Sequence, residues 1–222
     1  MSAKIGPINV LCVGPTGQPR TGQAIATEVW ISESAHSVFA LNNNFQGRGI
    51  FSKIWQTFRL PFAVYYESRR VKPCAMYLSL KRSLLGVTAD LACVLSYRAV
   101  VNGPVVAHLH GADLISARQN WATDFLIRLL WKFLSDVIVL APRMVEQLEG
   151  LPARRVHVVQ NFSEMFAAVE EIEEKAVSFK VTPLRVLYLS NIMYSKGFTF
   201  LIDAVRELQA DGIEVTLILA GR

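Results

Sequence analysis

The feature that most constrains this chain is a strict alternation of short apolar runs with longer segments of helical period. Six apolar runs, Ile8–Val13, Val38–Leu41, Ala75–Leu80, Pro104–Leu109, Val137–Leu140 and Val156–Val159, read as strands. Between them Gln23–Ser34, Ile50–Tyr66, Ser83–Val101, Asn120–Leu134 and Arg143–Leu148 read as helices. Strands that alternate with helices are joined by crossovers, so the pattern predicts an α/β, doubly wound parallel sheet covered on both faces. From Ser163 to Thr182 the pattern gives way to a stretch holding Glu164, Glu170, Glu171, Glu173 and Glu174, which reads as a solvated helical connector. After Pro183 it resumes as strand Val186–Leu189, helix Phe198–Gln209 and strand Val215–Ala220. One βαβ unit cannot bury both faces of its sheet, so this reads as an incomplete second domain. The expected boundaries are residues 1–162, 163–182 and 183–222.

Composition narrows the function classes. At 222 residues and 52% apolar the chain has ample material for a core. A net charge of +5 and a pI near 9.2 suit an anionic partner without choosing among nucleic acid, an acidic membrane surface and a phosphorylated ligand. Cys12, Cys74 and Cys93 sit in apolar stretches without a CxxC spacing, which argues for buried thiols and against a disulfide framework or a zinc site. No apolar run reaches the ~18 to 20 residues of a spanning helix; the longest, Leu84–Val101, contains Asp90 and Arg98. The N-terminus lacks a signal-peptide pattern, so a cytoplasmic location is expected.

Three stretches carry candidate chemistry. The first strand runs into Gly14-Pro15-Thr16-Gly17, with Gly22 at the start of the next helix. That order presents backbone amides to an anion, although the spacing is neither GxGxxG nor the Walker pattern; a plain tight connection is the other reading. His108-Leu109-His110-Gly111-Ala112-Asp113 ends a buried strand, where α/β sheets bind ligands. The two histidines share one side of the strand and lack further ligands nearby, so no metal is expected. His110 reads either as a hydrogen-bonding group at a crevice or as a satisfied structural histidine. In Ile50–Tyr66, Phe51, Ile54, Trp55, Phe58, Phe62 and Tyr65 recur at helical spacing beside Lys53, Arg59, Arg69, Arg70 and Lys72. Such a helix either packs its aromatic stripe on the sheet or lies on an anionic membrane surface. Pro61 is expected to break or kink it. In Asn120–Leu134 the stripe from Trp121 and Phe125 to Leu134 reads as core.

Taken in order, several stretches resemble the retaining family-4 glycosyltransferases of the GT-B architecture, which pairs two Rossmann-like domains. The stretches are the glycine turn Gly14–Gly22, HLHGADL (108–114), VIVLAPRMVEQL (137–148), VHVVQNF (156–162) and VLYLSNIMYSKGFTFLIDAVREL (186–208). The resemblance implies that the first 162 residues form the acceptor-side domain and that residues 183–222 open the nucleotide-sugar-binding domain. It implies a catalytic role for His110 beside the donor sugar, and donor contacts from Gly22, Gly111, Asn161, Asn191 and Lys196, with Lys196 on the diphosphate. A compact ammonium beside a helix N-terminus suits that role. Ser190-Asn191 stands where the family often has Gly-Arg, so a second cation is missing, and Gln160-Asn161 replaces Pro-Asn.

The implied reaction moves a hexose from a nucleotide-diphosphate sugar to an acceptor hydroxyl with retention, in surface or exported polysaccharide biosynthesis. No cofactor or metal is implied. The expected partners are the nucleotide sugar and a glycan or lipid-linked acceptor, with peripheral contact at the inner membrane face through Ile50–Lys72; no nucleic acid is expected. The family's downstream glutamate pair and remaining donor-domain strands do not occur before Arg222. The alternative expectation is therefore a non-catalytic truncated remnant or binding subunit lacking most of the donor domain.

Overall fold

The computed structural model describes residues 6–17, 21–43, 50–160, 184–190, 192 and 194–221. The chain divides into two compact units, Met1–Phe162 and Ser163–Arg222. In the first unit, strands β1 (Asn9–Gly14), β2 (Ser37–Asn42), β3 (Ala75–Ser79), β4 (Val105–Leu109), β5 (Asp136–Val139) and β6 (Arg155–Val158) form one sheet. Their order is β2-β1-β3-β4-β5-β6, and every neighbouring pair is parallel. The connections carry α1 (Gly22–Glu33), α2 (Ile50–Val71), α3 (Leu84–Arg98), α4 (Leu114–Arg118), α5 (Trp121–Trp131) and a 3-10 helix over Pro142–Leu148. This is the Rossmann-like doubly wound sheet that the alternation predicts.

Side-chain alternation along the strands explains the layering. Leu11 and Val13, Met76 and Leu78, and Val137 and Val139 point to one face, where they meet Leu60 and Val64 of α2, Val87 and Val94 of α3, and Ile127 and Trp131 of α5. Val10, Cys12 and Tyr77 point to the other face and pack with Trp30 and Ile31 of α1. The second unit pairs β7 (Leu184–Leu189) in parallel with β8 (Val215–Ala220) through α6 (Phe198–Ala210). On its strands Leu187, Leu189 and Ile218 are exposed. The connector 163–182 lies outside the described residues.

Four expectations require correction. Pro61 does not break its helix: α2 runs unbroken to Val71, five residues beyond the expected end. An interior proline costs about 3 kcal/mol, a cost that burial of Leu60 and Val64 on either side offsets. The helix ends instead where Lys72 turns left-handed, at φ 45, before Pro73. The stripe of α5 is only partly core. Thr123, Ile127, Leu130 and Trp131 are buried, while Trp121 and Phe125 are 81% and 61% exposed. The apolar arc is wider than the face that meets the sheet, and the sheet takes the side that includes Thr123. The segment at Pro142–Leu148 is a 3-10 helix, and the short α4 was not foreseen. Cys74 is exposed; Cys12 and Cys93 are buried, and burial pushes both thiols up to about 12.

Candidate functional site

The chain leaves β1 for β2 on one side and then crosses to β3 on the other, so the strand order reverses between β1 and β3. At such a switch point the connections diverge and leave a crevice beyond the carboxyl ends of the strands. Gly14 ends β1 here, and a Cβ at that position would press on Thr27 of α1 at 3.2 Å. Glycine therefore lets α1 approach the sheet closely. Thr21 caps α1 by accepting from Ala24 N at 3.1 Å. Gln23, next to Gly22, donates from Nε2 to Ser79 Oγ at the end of β3. In the glycine turn the amides of Thr16 and Gly17 donate to Asn42 Oδ1 at 3.1 Å and to Glu28 Oε1 at 2.6 Å. Side chains of this unit thus already occupy two of the amides that an anion would use.

Beside this point lies a cavity of about 640 Å³, lined among others by Gln23, Asn43, Thr57, Ser79, Lys81, Arg82 and Asp113. Its volume falls within the ~300–1,000 Å³ usual for small-molecule sites. The basic pair Lys81-Arg82 follows β3 after Leu80. Lys81 Nζ meets Asp90 Oδ1 at 2.9 Å, and the Lys81 backbone amide donates to Asp90 Oδ2 at 2.7 Å. Arg82 Nη1 comes within 2.8 Å of Asp113 Oδ1. A Cβ at Gly111 would overlap Arg82 Nη1, so glycine there gives the guanidinium its seat. Lys81, Arg82 and Asn43 were missed in the sequence, although a basic pair at the carboxyl end of a buried strand is a readable signal.

His110 extends from β4 on the opposite face. Its ring stacks on His108 at 3.8 Å, and Tyr77 Oη lies 2.6 Å from His108 Nδ1 and 3.4 Å from His110 Nε2. Tyr77 in turn stacks on Trp30 at 4.6 Å. Together they line an apolar groove of about 350 Å³ with Met76, Ile138 and Val159. His110 does not line the larger cavity; its neighbour Gly111 touches that cavity's wall through Arg82. Burial lowers His108 from 6.5 to about 4, and burial, then His108, then Arg82 lower His110 from 6.5 to about 3. Both rings are neutral at pH 7. The unfolded chain therefore binds more protons below pH 6.5, and this pair's contribution to stability is complete above that value and falls as the pH drops towards 3. Urea midpoints of the intact chain are expected to decline over that window, and His108→Gln with His110→Gln to flatten the decline. An equal slope in the double variant would contradict this.

In the second unit Tyr194–Lys196 forms a 3-10 turn, Gly197 adopts φ 75, and α6 begins at Phe198. Only glycine takes that left-handed conformation readily. Lys196 is exposed beside the N-terminus of a 13-residue helix, and its carbonyl accepts from Tyr188 Oη at 3.3 Å. Asn161 and Asn191 lie outside the described residues. No group of three or more potential metal ligands occurs among the described residues, and none of their helices is long and apolar enough to cross a membrane.

No protein-family model and no curated protein matches this chain. Among solved structures it is similar to Anabaena HepE, crystallised in complex with UDP and glucose. The two are 16% identical with a TM-score of 0.55, over 96% of this chain and 60% of that one. The chain thus spans 60% of the length of that structure, and at this identity the likeness is one of fold.

Proposed function

We propose that this chain is the acceptor-side domain and the opening of the donor-binding domain of a retaining glycosyltransferase, of family 4, that uses a nucleotide-diphosphate sugar. The observation that supports it most is the cavity at the β1–β3 switch point, which places Gln23, Asn43, Lys81 and Arg82 together, in a fold similar to that of a protein crystallised with UDP and glucose. In this reading residues 1–162 hold the acceptor, 163–182 connect, and 183–222 begin the donor side. The bond from the anomeric carbon to the diphosphate oxygen breaks, and a bond to the acceptor oxygen forms. The acceptor's hydroxyl proton ends on the departing diphosphate. Fixed positive charge and helix amides lower the cost of the leaving group's charge. Lys196 and the N-terminus of α6 serve that role, Gly22 allows close backbone approach, Gly111 contributes on the donor side by seating Arg82, and Asn161 and Asn191 add polar donor contacts. His110, neutral at pH 7, is assigned to the donor sugar.

The acceptor is a glycan or lipid-linked precursor, which fits the exposed aromatic face of α2 beside the cavity. The reaction belongs to surface or exported polysaccharide assembly on the cytoplasmic side of a membrane. The test is release of nucleoside diphosphate from a panel of nucleotide hexoses incubated with the intact chain and candidate lipid-linked acceptors. Lys196→Ala is expected to weaken UDP binding, measured by calorimetry, by about 1–3 kcal/mol, the scale of a charge-assisted hydrogen bond. Unchanged UDP affinity would remove Lys196 from the site.

A further inference from the structure

The switch-point cavity contains hydrogen-bond donors whose needs the protein leaves unmet. Asn43 is 5% exposed, and among the described residues its Nδ2 has no hydrogen-bond partner. A buried amide donor without a partner is unfavourable, so an oxygen-bearing ligand in the cavity would relieve it. Arg82 is the second such group. Its Nη1 is buried within ion-pair reach of Asp113 but, among the described residues, outside hydrogen-bond alignment with any partner. No hydrogen bond from the guanidinium to another described residue is formed. The Asp113 side chain is 63% exposed, and a pair so open to water is weak and easily exchanged. Lys81 differs, because fully buried Asp90 holds it. The cavity thus contains one arginine poised for exchange, one orphaned amide donor, and the hydroxyls of Ser79 and Thr57.

We propose that this cavity is a phosphoryl-binding site in which Arg82 and Asn43 take the anion's oxygens and Asp113 is the internal carboxylate that the ligand displaces. Arginine's planar fork suits two oxygens of one phosphoryl group. Gly111 presets the fork by leaving room for Nη1, so the guanidinium loses little freedom on binding. The inference rests on the cavity of the proposed function, yet phosphoryl binding can be measured without any transfer reaction. The phosphoryl group has two sources in that reading, the donor's diphosphate and the phosphate of a lipid-linked acceptor. Both share the chemistry recognised here.

The experiment is calorimetric titration of the intact chain with inorganic pyrophosphate and, separately, with UDP. Arg82→Gln and Asn43→Ala are expected to weaken pyrophosphate about 10- to 100-fold and about 5-fold or more, respectively, and Arg82→Lys to restore part of the loss. Asp113→Asn removes the internal competitor and is expected to tighten pyrophosphate several-fold; its carboxylate is exposed, so folding is not at risk. Weakened UDP in Arg82→Gln identifies the donor as the source. Unchanged UDP with weakened pyrophosphate identifies the acceptor. Pyrophosphate affinity unmoved by both Arg82→Gln and Asp113→Asn would overturn the site, whatever Lys196→Ala or the transfer assay shows.

Discussion

Asp90→Ala is expected to destabilise the first unit by about 3–5 kcal/mol, the cost of breaking a buried ion pair from one side. Asp90 sits on α3 with no exposed surface. Burial pushes its carboxyl up, and the Lys81 ammonium and backbone amide pull it back. Alanine removes both acceptors at once, leaving the amide of Lys81 unpaired and its ammonium in a largely closed setting. Gly86 has a part in this arrangement. A Cβ there would press on Lys81 Cβ at 2.7 Å, so glycine in the first turn of α3 lets the lysine stem cross it. Asp90→Asn retains an acceptor for the amide and should cost less. Lys81→Met added to Asp90→Ala should cost less than the sum of the two single changes, because the orphaned cation is gone. Urea unfolding of the intact chain measures all four proteins; a loss below about 1 kcal/mol for Asp90→Ala would show that the pair does not hold the β3–α3 junction. The same pair fixes the residue before Arg82, so it also sets the wall of the cavity.

The sheet was legible because its central strands β1, β3, β4 and β5 are largely buried, which leaves short apolar runs such as VVA in β4 and VIV in β5 with few competing readings. Their parallel pairing followed from the intervening helices. Helix faces were less legible. Periodicity correctly marked Asn120–Leu134, yet it could not tell which part of a wide apolar arc meets the sheet, and Trp121 and Phe125 lie outside that part. The helix-breaking rule for Pro61 is local and does not contain the tertiary burial of Leu60 and Val64 that carries the helix through it. For the candidate site, the sequence located the carboxyl ends of β1 and β4 and placed His108 and His110 on one side of their strand. Which side carries the cavity depends on how α1, α2 and α3 distribute over the two faces, a property of the topology. For that reason the two readings of His110, a group at a crevice and a satisfied structural histidine, stay open in the sequence; it lines the apolar groove, while Lys81 and Arg82, one strand away, line the cavity.

Among the described side chains the aromatic stripe of α2 does not pack on the sheet. Trp55, Phe58 and Phe62 are 69%, 65% and 75% exposed, and Tyr66 continues the face one turn on. Their spacing of three and four residues puts them on one side of the helix with Arg59 and Arg69. Arg69 lies over Tyr65 at 5.9 Å, which keeps its charge beside the rings. Among these cations Arg70 is partly neutralised by Glu67 at 2.7 Å. Thr57, on the buried side of the same helix, lines the cavity. A bilayer meeting the outer face would therefore bring a lipid-linked acceptor within one helix diameter, ~10 Å, of the cavity. Replacing Trp55, Phe58 and Phe62 together with serine is expected to weaken vesicle binding on the order of 100-fold or more. Burying a large apolar side chain contributes about 1.5–3 kcal/mol, and even half of that from each ring sums to this range. Arg59→Gln and Arg69→Gln should each cost about 1 kcal/mol on phosphatidylserine vesicles, nothing on phosphatidylcholine, and less as salt rises. The replaced side chains are exposed, so the urea midpoint should hold while binding is lost. Sedimentation with vesicles gives the answer directly: equal binding by the serine variant would show that this face does not meet lipid, and the acceptor would then have to reach the cavity from solution.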